Sequence, residues 1–536
     1  FDIQGMKLTF ILLCATAATA FPISGYTAFF DEAAAAVASP PFVGGNLPPF
    51  MGIFKNRSFS IDGDAAEGAL ERFHKAVGGP ERLARHKSVL HSVSKAKARI
   101  LSLVRRPKVK SELLTEIADR LKGTVLDRPS VADINKPISE YLYGGDVMVT
   151  SEELGKMEAE ANSDSFRAKR GAPIVTSTRW PKTQPIAFIF NSDIDEPTRR
   201  LIRTATQKIA ANTCLSFQEN GAGTQLQFHR GGGCWSYIGK LSQSIQPISI
   251  DRGCEIIPII SHEISHALGL DHTQNRFDRD AFVSVNFAAV DSNMQNNFAK
   301  RTNAQNNNFG VPYDYGSDMH YGAFDFSNNK QAVLVPSQGD FINTMGQRRS
   351  LTFNDYKMIN SLYGCSANCP SQMTCYNGGY TSPKNCNACI CTDFFMGTNC
   401  QTPRMLISIT ETSSYKTDFH TLYDQALYSS GNDYNWDVFQ KDAVKIIKAP
   451  EGKKIKVTIN RLYPGFGQLP CYLSCPFFGL EFVDNANGDL MTTMGKIYCC
   501  TKDEGVTFTS KTNVLGYKAY ASPGMPFDAT VTYTVV

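Results

Sequence analysis

The chain has 536 residues, too many for a single hydrophobic core, and its length predicts about three or four domains. With 42% hydrophobic and 19% charged residues, it has the composition of a soluble globular protein, which excludes a largely disordered chain. The formal net charge of +4 argues neither for nor against a polyanionic partner, and we expect no nucleic-acid partner.

The first residues predict export from the cell. From Met6 the chain reads MKLTFILLCATAATA, a single lysine before an apolar run that ends in small residues, as in a secretory signal peptide cut after Ala20. A buried hydrophobic segment is the alternative. The run is shorter than the roughly 20 apolar residues that span a bilayer, and no later stretch approaches that length. We therefore expect a secreted, extracellular protein without a membrane span, in which residues 1–20 are upstream residues plus the signal peptide.

Residues 21–170 have the character of a propeptide. They contain no cysteine, are rich in Ala, Pro and Gly at first, and then become helical and charged, as in LLTEIADRLKG. They end in RAKR, whose charge suits the acidic pockets of a processing convertase, although basic clusters are also common on solvated surfaces. We expect cleavage after Arg170. Asn56 heads an Asn-x-Ser sequon and is a candidate glycosylation site.

The rest of the chain divides into three parts by its patterns. In residues 171–365, the stretches PIAFIF and QLQFH predict strands and TRRLIRTATQKIAANT predicts an amphipathic helix, so that this part is α+β. Residues 366–400 hold six cysteines, a module too small to fold without disulfides. In residues 401–536, KIKVTIN and DATVTYTVV alternate like the strands of a β-sandwich. Fourteen cysteines follow the signal peptide, an even number that predicts disulfide bonds.

The segment HEISHALGLDH predicts a metal centre. On a helix, His262 and His266 share one face and can hold one zinc ion, and Glu263 beside them can accept a proton from water. Gly269 can end the helix so that His272 becomes a third ligand. Three imidazoles leave a coordination position open, as at catalytic zinc sites. The alternative is a pair of surface histidines, but the glycine and the third histidine at fixed offsets make chance much less common.

About fifty residues further on comes SDMHYG, which is typical of the Met-turn that metzincins place after the zinc helix. Met319 is interpreted as the apolar floor beneath the metal, and an ordinary core methionine is the alternative. The chain resembles the astacin family of metzincins in HTQNRFDRD after His272, in RWP and GCWSYIG, and in GQRRSLTFNDYKMINSLYGC. The resemblance covers residues 171–365. It implies a two-lobed catalytic domain that hydrolyses extended polypeptide substrates with one zinc ion.

The resemblance also implies roles for two further residues. Tyr321 would be an extra zinc ligand in the resting enzyme and would then swing away to stabilise the oxyanion, unless it is a packed core tyrosine. YGGD, which ends at Asp146, resembles the propeptide element whose aspartate occupies the metal in the inactive precursor; a plain turn is the alternative. The strand from Gln225 to Phe228 is expected to pair with substrate as an edge strand.

Disulfide pairings follow from the same resemblance. They are Cys214 with Cys365 and Cys234 with Cys254 in the catalytic domain, and Cys369 with Cys386, Cys375 with Cys389, and Cys391 with Cys400 in an EGF-like module. Residues 401–536 resemble a CUB domain, in which Cys471, Cys475, Cys499 and Cys500 form two bridges of open pairing. The domain order is similar to that of secreted nematode astacins, which implies extracellular matrix or cuticle proteins as partners.

Two residues depart from the family pattern: Leu270 stands where phenylalanine is usual, and Thr273 where glutamate usually meets the new N-terminus. A catalytically inactive matrix-binding protein that acts through its EGF-like and CUB-like modules is the main alternative, yet Glu263 and the three histidines are all present. A reprolysin or matrixin is disfavoured by Arg276 to Asp280 and by Tyr321.

Overall fold

The computed structural model describes residues 63–103, 109, 111–121, 124–125, 130–161, 179–303, 306–410, 416–422, 441–464, 471–484, 492–521 and 527–536. The predicted signal peptide, the sequon at Asn56 and the RAKR cleavage site at Arg170 lie outside the described residues. Among the residues described, no helix combines the length and the apolar character that crossing a membrane requires.

The N-terminal segment is helical. Its elements are α1 (Gly63–Val77), α2 (Pro80–Leu103), α3 (Ser111–Arg120), β1 (Thr124–Val125), α4 (Val131–Ile134), the 3-10 helix Lys136–Tyr141 and α5 (Ser151–Ala161). Part of its apolar surface is buried against another domain: Phe73 and Ile138, both fully buried, pack with Trp235 of the domain that follows. Arg72 of α1 also forms a 2.7 Å ion pair with Asp251. The segment is therefore built to lie on the domain that follows it.

The first half of the next domain is a sheet covered by two helices. Its elements are β2 (Ile186–Phe190), α6 (Glu196–Asn212), β3 (Phe217–Glu219), β4 (Gln225–His229), β5 (Cys234–Trp235), β6 (Ile245–Ile250) and α7 (Ile257–Ala267). The strands follow the order β3-β2-β4-β6-β5, parallel except for β5. Buried aliphatic and aromatic side chains such as Phe228 and Ile264 join the sheet to α7 in one core.

The second half of this domain has little regular structure. Its elements are β7 (Val283–Val285), β8 (Leu334–Pro336), α8 (Phe353–Leu362) and the 3-10 helices Thr273–Asn275, Arg279–Ala281, Phe287–Ala289, Gln295–Phe298, Gly339–Asn343 and Cys365–Asn368. A separate, tyrosine-rich core around Tyr313, Phe298 and Val333 holds it together. The domain thus has two lobes, and α7 ends where they meet.

A small disulfide-bonded module and a β-sandwich complete the chain. The module contains β9 (Tyr380–Thr381), β10 (Cys389–Ile390), β11 (Phe395–Met396) and β12 (Thr402–Pro403). The sandwich contains β13 (Leu406–Ser408), β14 (Lys416–Leu422), β15 (Lys441–Lys448), β16 (Ile455–Pro464), β17 (Cys471–Tyr472), β18 (Phe478–Val483), β19 (Lys496–Tyr498), the 3-10 helix Thr501–Asp503, β20 (Thr507–Thr509), β21 (Val514–Ala521) and β22 (Phe527–Val535). Its sheets follow the orders β13-β15-β21-β18-β19 and β14-β22-β16-β20. Aromatic side chains from the two sheets pack against each other between the sheets; the ring centroids of Phe482 and Phe508, for example, are 5.1 Å apart.

The fourteen cysteines among the described residues are all paired. Five of the disulfides are those that the family resemblance implies, namely Cys214–Cys365, Cys234–Cys254, Cys369–Cys386, Cys375–Cys389 and Cys391–Cys400. The pairing that the sequence left open in the sandwich is Cys471–Cys500 and Cys475–Cys499. The predicted fold class is confirmed: a two-lobed α+β domain, a disulfide-rich module and a β-sandwich.

Candidate metal centre

Two of the three predicted metal ligands come from α7, which is buried along its whole length. His262 and His266 stand one turn apart, and their ring centroids are 4.7 Å from each other. The helix ends at Ala267, and the chain reverses at Gly269, whose φ of +105° is strained for any residue with a side chain. That reversal brings His272 to within 4.7 Å of the His266 ring, again between centroids.

Backbone carbonyls fix the orientation of both helix histidines. The Nδ1–H of His262 donates to the Asp318 carbonyl, and that of His266 donates to the Leu270 carbonyl, each at 2.8 Å. A carbonyl can only accept, so the neutral rings carry their proton on Nδ1 and expose a lone pair on Nε2. Burial lowers the pKa of His262 to about 3, which keeps that ring neutral at physiological pH. In this tautomer the two helix histidines each direct an Nε2 acceptor atom into the cluster.

Asp146 of the N-terminal segment points into this cluster. Its Oδ2 lies 3.2 Å from Nε2 of His262 and 3.2 Å from Nε2 of His272, and its Oδ1 lies 3.5 Å from Nε2 of His266. Four candidate ligand atoms lie within 4.8 Å of one another. Burial acts to raise the pKa of Asp146, and positive charge or donated hydrogen bonds from the imidazoles hold that pKa well below its usual range; where the rings expose lone pairs instead, only a bound cation can supply the same stabilisation. An ionised carboxylate that faces imidazole lone pairs in a buried space calls for a cation, and this donor set suits zinc.

Glu263 follows the first histidine and is buried with both carboxylate oxygens lacking a hydrogen-bond partner among the described residues. Burial, and then the negative charge of Asp146, raise the pKa of Glu263 well above its usual range, whereas Arg348 acts in the opposite direction. An unpartnered buried carboxyl is costly unless it has a task or a ligand. The position predicted for a proton acceptor is therefore free to accept a hydrogen bond from water.

Tyr321 lies beside the third histidine, with 4.6 Å between its ring centroid and that of His272. Its hydroxyl donates to the Gly144 carbonyl of the N-terminal segment. The structure thus places Tyr321 next to the cluster but directs its hydroxyl to a peptide carbonyl. Met319 is buried in the same core as α7, and its role as the floor of the metal site stays a prediction.

The N-terminal segment, rather than a solvent-filled groove, occupies the cleft. Gly144 and Gly145 turn the chain with φ angles of +60° and +84°, and a side chain on Gly145 would meet the Phe326 ring at 2.5 Å. The residues that follow then pair with the sheet: Ser236 donates its N–H to the Asp146 carbonyl at 3.0 Å and accepts the Met148 N–H at 2.9 Å.

This pairing corrects one expectation from the sequence. The strand Gln225–His229 is not an edge strand, because β2 and β6 are hydrogen-bonded to its two sides. The edge beside the cleft is instead Cys234–Trp235, which turns back antiparallel to β6 and leads into Ser236. A two-residue strand carries too little alternation to be recognised in the sequence.

Two residues that the sequence did not single out hold the N-terminal segment in place. The fully buried Asn135 donates through Nδ2 to the Gly145 carbonyl at 2.9 Å and to the Cys234 carbonyl at 2.6 Å, and its Oδ1 accepts the Cys234 N–H at 2.8 Å. Arg301 bridges the two parts as well, donating to Asp271 Oδ2 at 2.5 Å and to the Tyr143 hydroxyl at 2.7 Å. Neither residue lies in a motif, and only the folded chain shows what each contacts.

Thr273, at the position where the family resemblance implies a glutamate, is tied to the Met-turn. Its N–H donates to the Met319 carbonyl at 3.0 Å, and its hydroxyl donates to Ser317 Oγ at 2.8 Å. Ser317 in turn donates to Asp355 at 2.6 Å. The threonine therefore has a structural role of its own, and the segment around Gly171 that the glutamate would meet lies outside the described residues.

Comparison with known proteins gives the same family. Residues 174–364 match the model of the Astacin peptidase family. Zinc metalloproteinase nas-28 of Caenorhabditis elegans is 32% identical over 397 residues, 72% of this chain and 77% of that protein, and nas-37 of the same organism is 38% identical over 56% of this chain but only 39% of its own length. The hatching enzyme zinc-protease HCE-1 of Oryzias latipes is 30% identical over 35% of this chain and 94% of that one, with a TM-score of 0.33. The chain belongs to the astacin family of zinc metallopeptidases.

Proposed function

We propose that the protein is a secreted zinc endopeptidase, made as a precursor that is activated by cleavage after Arg170. The observation that carries the proposal is the buried cluster of His262, His266 and His272 around one carboxylate, with Glu263 beside it. Secretion is supported by the seven disulfides that pair every cysteine of the described residues, because such a set of disulfides persists in oxidising compartments.

The three histidines would hold the zinc ion, which when bound polarises the scissile carbonyl and lowers the pKa of water at the site. Glu263 then accepts the proton of the attacking water and passes it to the leaving amine, since its oxygens have no other partner among the described residues. The carbonyls of Asp318 and Leu270 keep His262 and His266 in the tautomer that this requires.

Tyr321 would stabilise the oxyanion that forms on the substrate. Its hydroxyl already donates to a peptide carbonyl, that of Gly144, within the cleft. An extended substrate would pair with the sheet edge at Cys234–Ser236, which the N-terminal segment uses in this structure. A peptide bond bound along that edge would lie within reach of the Tyr321 hydroxyl, as the peptide bond of Gly144 does.

Asp146 would keep the precursor inactive. It fills the space between the three histidines, and the residues on both sides of it are held in the cleft by Asn135 and Ser236. A carboxylate in that position excludes substrate and water from the metal. Cleavage after Arg170 by a convertase would release the segment and open the cleft.

The C-terminal modules are proposed to contact extracellular proteins, with matrix or cuticle components as the class. A catalytically inactive, matrix-binding chain remains the outcome if the peptidase assay below fails.

The proposal is tested with a quenched fluorescent peptide library and the full chain, before and after it has been cut behind Arg170. We expect cleavage that requires the cut, is stopped reversibly by a zinc chelator, and disappears in Glu263→Gln. The glutamine keeps the shape of the side chain but cannot take up the proton, so the variant should still bind zinc. Equal and negligible turnover by the cut wild type and the cut Glu263→Gln variant, with zinc bound and the fold intact, would contradict the peptidase proposal.

A further inference from the structure

The β-sandwich lies against the part of the catalytic domain that supports the metal centre. The contact is made by Met494 and Gly495, which precede β19, and by residues 314–319, called here the Met-turn loop. Met494 donates its N–H to Asp314 Oδ1 at 3.0 Å, and the same oxygen accepts the N–H of Gly316 at 3.1 Å. One carboxylate therefore joins the sandwich to the Met-turn loop.

The side chain of Met494 rests directly on the backbone of Gly316. A Cβ atom on Gly316 would lie 2.4 Å from the Met494 sulfur and 2.5 Å from its Cβ, so the contact exists only because this residue has no side chain. On its other side, the Gly316 carbonyl accepts a hydrogen bond from Gln347 Nε2 at 2.7 Å. The Met-turn loop is thus clamped between the sandwich and its own domain.

Hydrogen bonds also fix the position of Gly495, the residue after Met494. Thr344 donates through Oγ1 to the Gly495 carbonyl at 2.7 Å, and Glu481 accepts the Gly495 N–H at 3.0 Å. The other oxygen of Glu481 lies 3.3 Å from Arg349, whose guanidinium lies 4.1 Å from the Tyr520 ring centroid. Both charged side chains are less than one tenth exposed, so neither can leave without stranding the other in a buried space.

The inner side of the Met-turn loop orients a metal ligand. The Asp318 carbonyl, two residues beyond Gly316, accepts the Nδ1–H of His262 at 2.8 Å and a hydrogen bond from Arg348 at 2.6 Å. Groups that hydrogen-bond the far nitrogen of a ligating histidine set its tautomer and its direction. A shift of the loop would therefore turn His262 away from its partners.

We infer that Met494 is a positioning residue for His262, acting through Gly316 and the Asp318 carbonyl, a role that rests on the proposed zinc site. The sandwich is then a structural part of the metal centre as well as a candidate binding module. Packed side chains and hydrogen bonds can carry such a connection, and each step of this one is a direct contact.

The test uses the full chain with Met494→Ala. This variant removes the side chain that lies on Gly316 but leaves the hydrogen bond from the backbone N–H of residue 494 to Asp314 possible. Transfer of zinc to a chromogenic chelator should be about tenfold faster than from the wild type, the low end of the effect of losing a group that orients a ligand. The visible absorption bands of the cobalt-loaded chain should also shift, because they report ligand geometry. Met494→Leu, which keeps the volume, should restore both readouts.

Val457→Ala is the matched control. Val457 is fully buried in the sandwich, on a strand that pairs with β20 and β22, so the variant weakens that domain by a similar loss of packing. It should keep the zinc transfer rate of the wild type. If Met494→Ala does not fold, Glu481→Gln is the second variant. It keeps the shape of the glutamate side chain, removes the charge beside Arg349, and should also speed zinc transfer.

The inference is overturned if Met494→Ala releases zinc at the wild-type rate, or if Val457→Ala speeds release equally, since the effect would then be general destabilisation. A wild-type chain that binds zinc but cleaves no peptide would contradict the proposed peptidase instead, and the zinc and cobalt readouts would still decide the role of Met494.

Discussion

Replacing Asn135 with alanine tests how the N-terminal segment keeps Asp146 among the histidines. Asn135 is fully buried and makes three hydrogen bonds, one to the Gly145 carbonyl and two to the backbone of Cys234. It thereby ties the turn that carries Asp146 to the sheet edge of the cleft. Alanine cannot replace any of these bonds.

The size of the effect follows from the bonds lost. At about 1 kcal/mol of net stability for each hydrogen bond, the variant weakens the closed arrangement by about 3 kcal/mol. Since about 1.4 kcal/mol is a factor of ten in an equilibrium constant, the fraction of precursor with an open cleft rises about 100-fold. Asn135→Asp keeps the acceptor for the Cys234 N–H but turns a carboxylate oxygen toward two carbonyl oxygens in a buried space, so it should open the cleft at least as much as alanine.

The assay is peptide cleavage by full chains that also carry Arg170→Ala and therefore stay uncut. The uncut Asn135→Ala chain should cleave the peptide far faster than the uncut parent. In chains that keep Arg170 and have been cut behind it, Asn135→Ala and the wild type should cleave the peptide at the same rate. Ser139→Ala, which removes an exposed hydrogen bond to the Lys136 carbonyl in the neighbouring 3-10 helix, should change nothing. Equal residual rates in the uncut parent and Asn135→Ala, with both chains folded, would refute the reasoning.

Three other outcomes are expected. Burial, and then the charge of Asp355, raise the pKa of Asp314 to about 7, so the stability of the wild type falls as the pH rises from about 4 through 7. Asp314→Asn should therefore be more stable than the wild type at pH 8, by up to about 4 kcal/mol, but not at pH 4. Melting curves of both proteins at the two pH values test this. Replacing Cys214 and Cys365 by serine should cost about 4 to 5 kcal/mol in denaturant titrations, because that disulfide closes a long loop; a loss below about 1 kcal/mol would contradict it. Burial acts to lower the pKa of His266, but its contact with Asp146 outweighs burial and raises that pKa; zinc occupancy after equilibrium dialysis should therefore be lower at pH 5 than at pH 7.5, and equal occupancy would argue against His266 as a ligand.

Local patterns predicted several elements correctly, and the structure brings the histidines proposed as ligands together. PIAFIF became β2 (Ile186–Phe190), and the amphipathic stretch before Cys214 became α6 (Glu196–Asn212). The spacing of His262 and His266 places them on the same face of a helix, and Gly269 allows the chain to reverse toward His272. The positions of these three histidines therefore depend on residues that are near them in the sequence. YGGD was recognised by family resemblance, because a glycine-rich turn alone does not say which cleft it enters.

What the sequence could not predict depends on contacts between distant segments. The expectation for Gln225–His229 was wrong because strand order in a sheet is decided by pairing partners, not by the pattern of one strand. Asn135 and Arg301 carry no motif, and their roles follow from partners far away in the chain. The same is true of Met494, whose contact with Gly316 joins parts of the chain that the pattern of either segment treats as separate domains.

The most direct test of the account is the metal content of the purified full chain. We expect one zinc ion per chain, with the ion lost in His266→Ala and retained in Glu263→Gln, because the first variant removes a ligand and the second only the proton acceptor. The control variant Asn212→Ala, which changes a partly buried side chain on α6, should keep its zinc. A folded wild-type chain that takes up no zinc, even when it is supplied, would contradict the account at its centre.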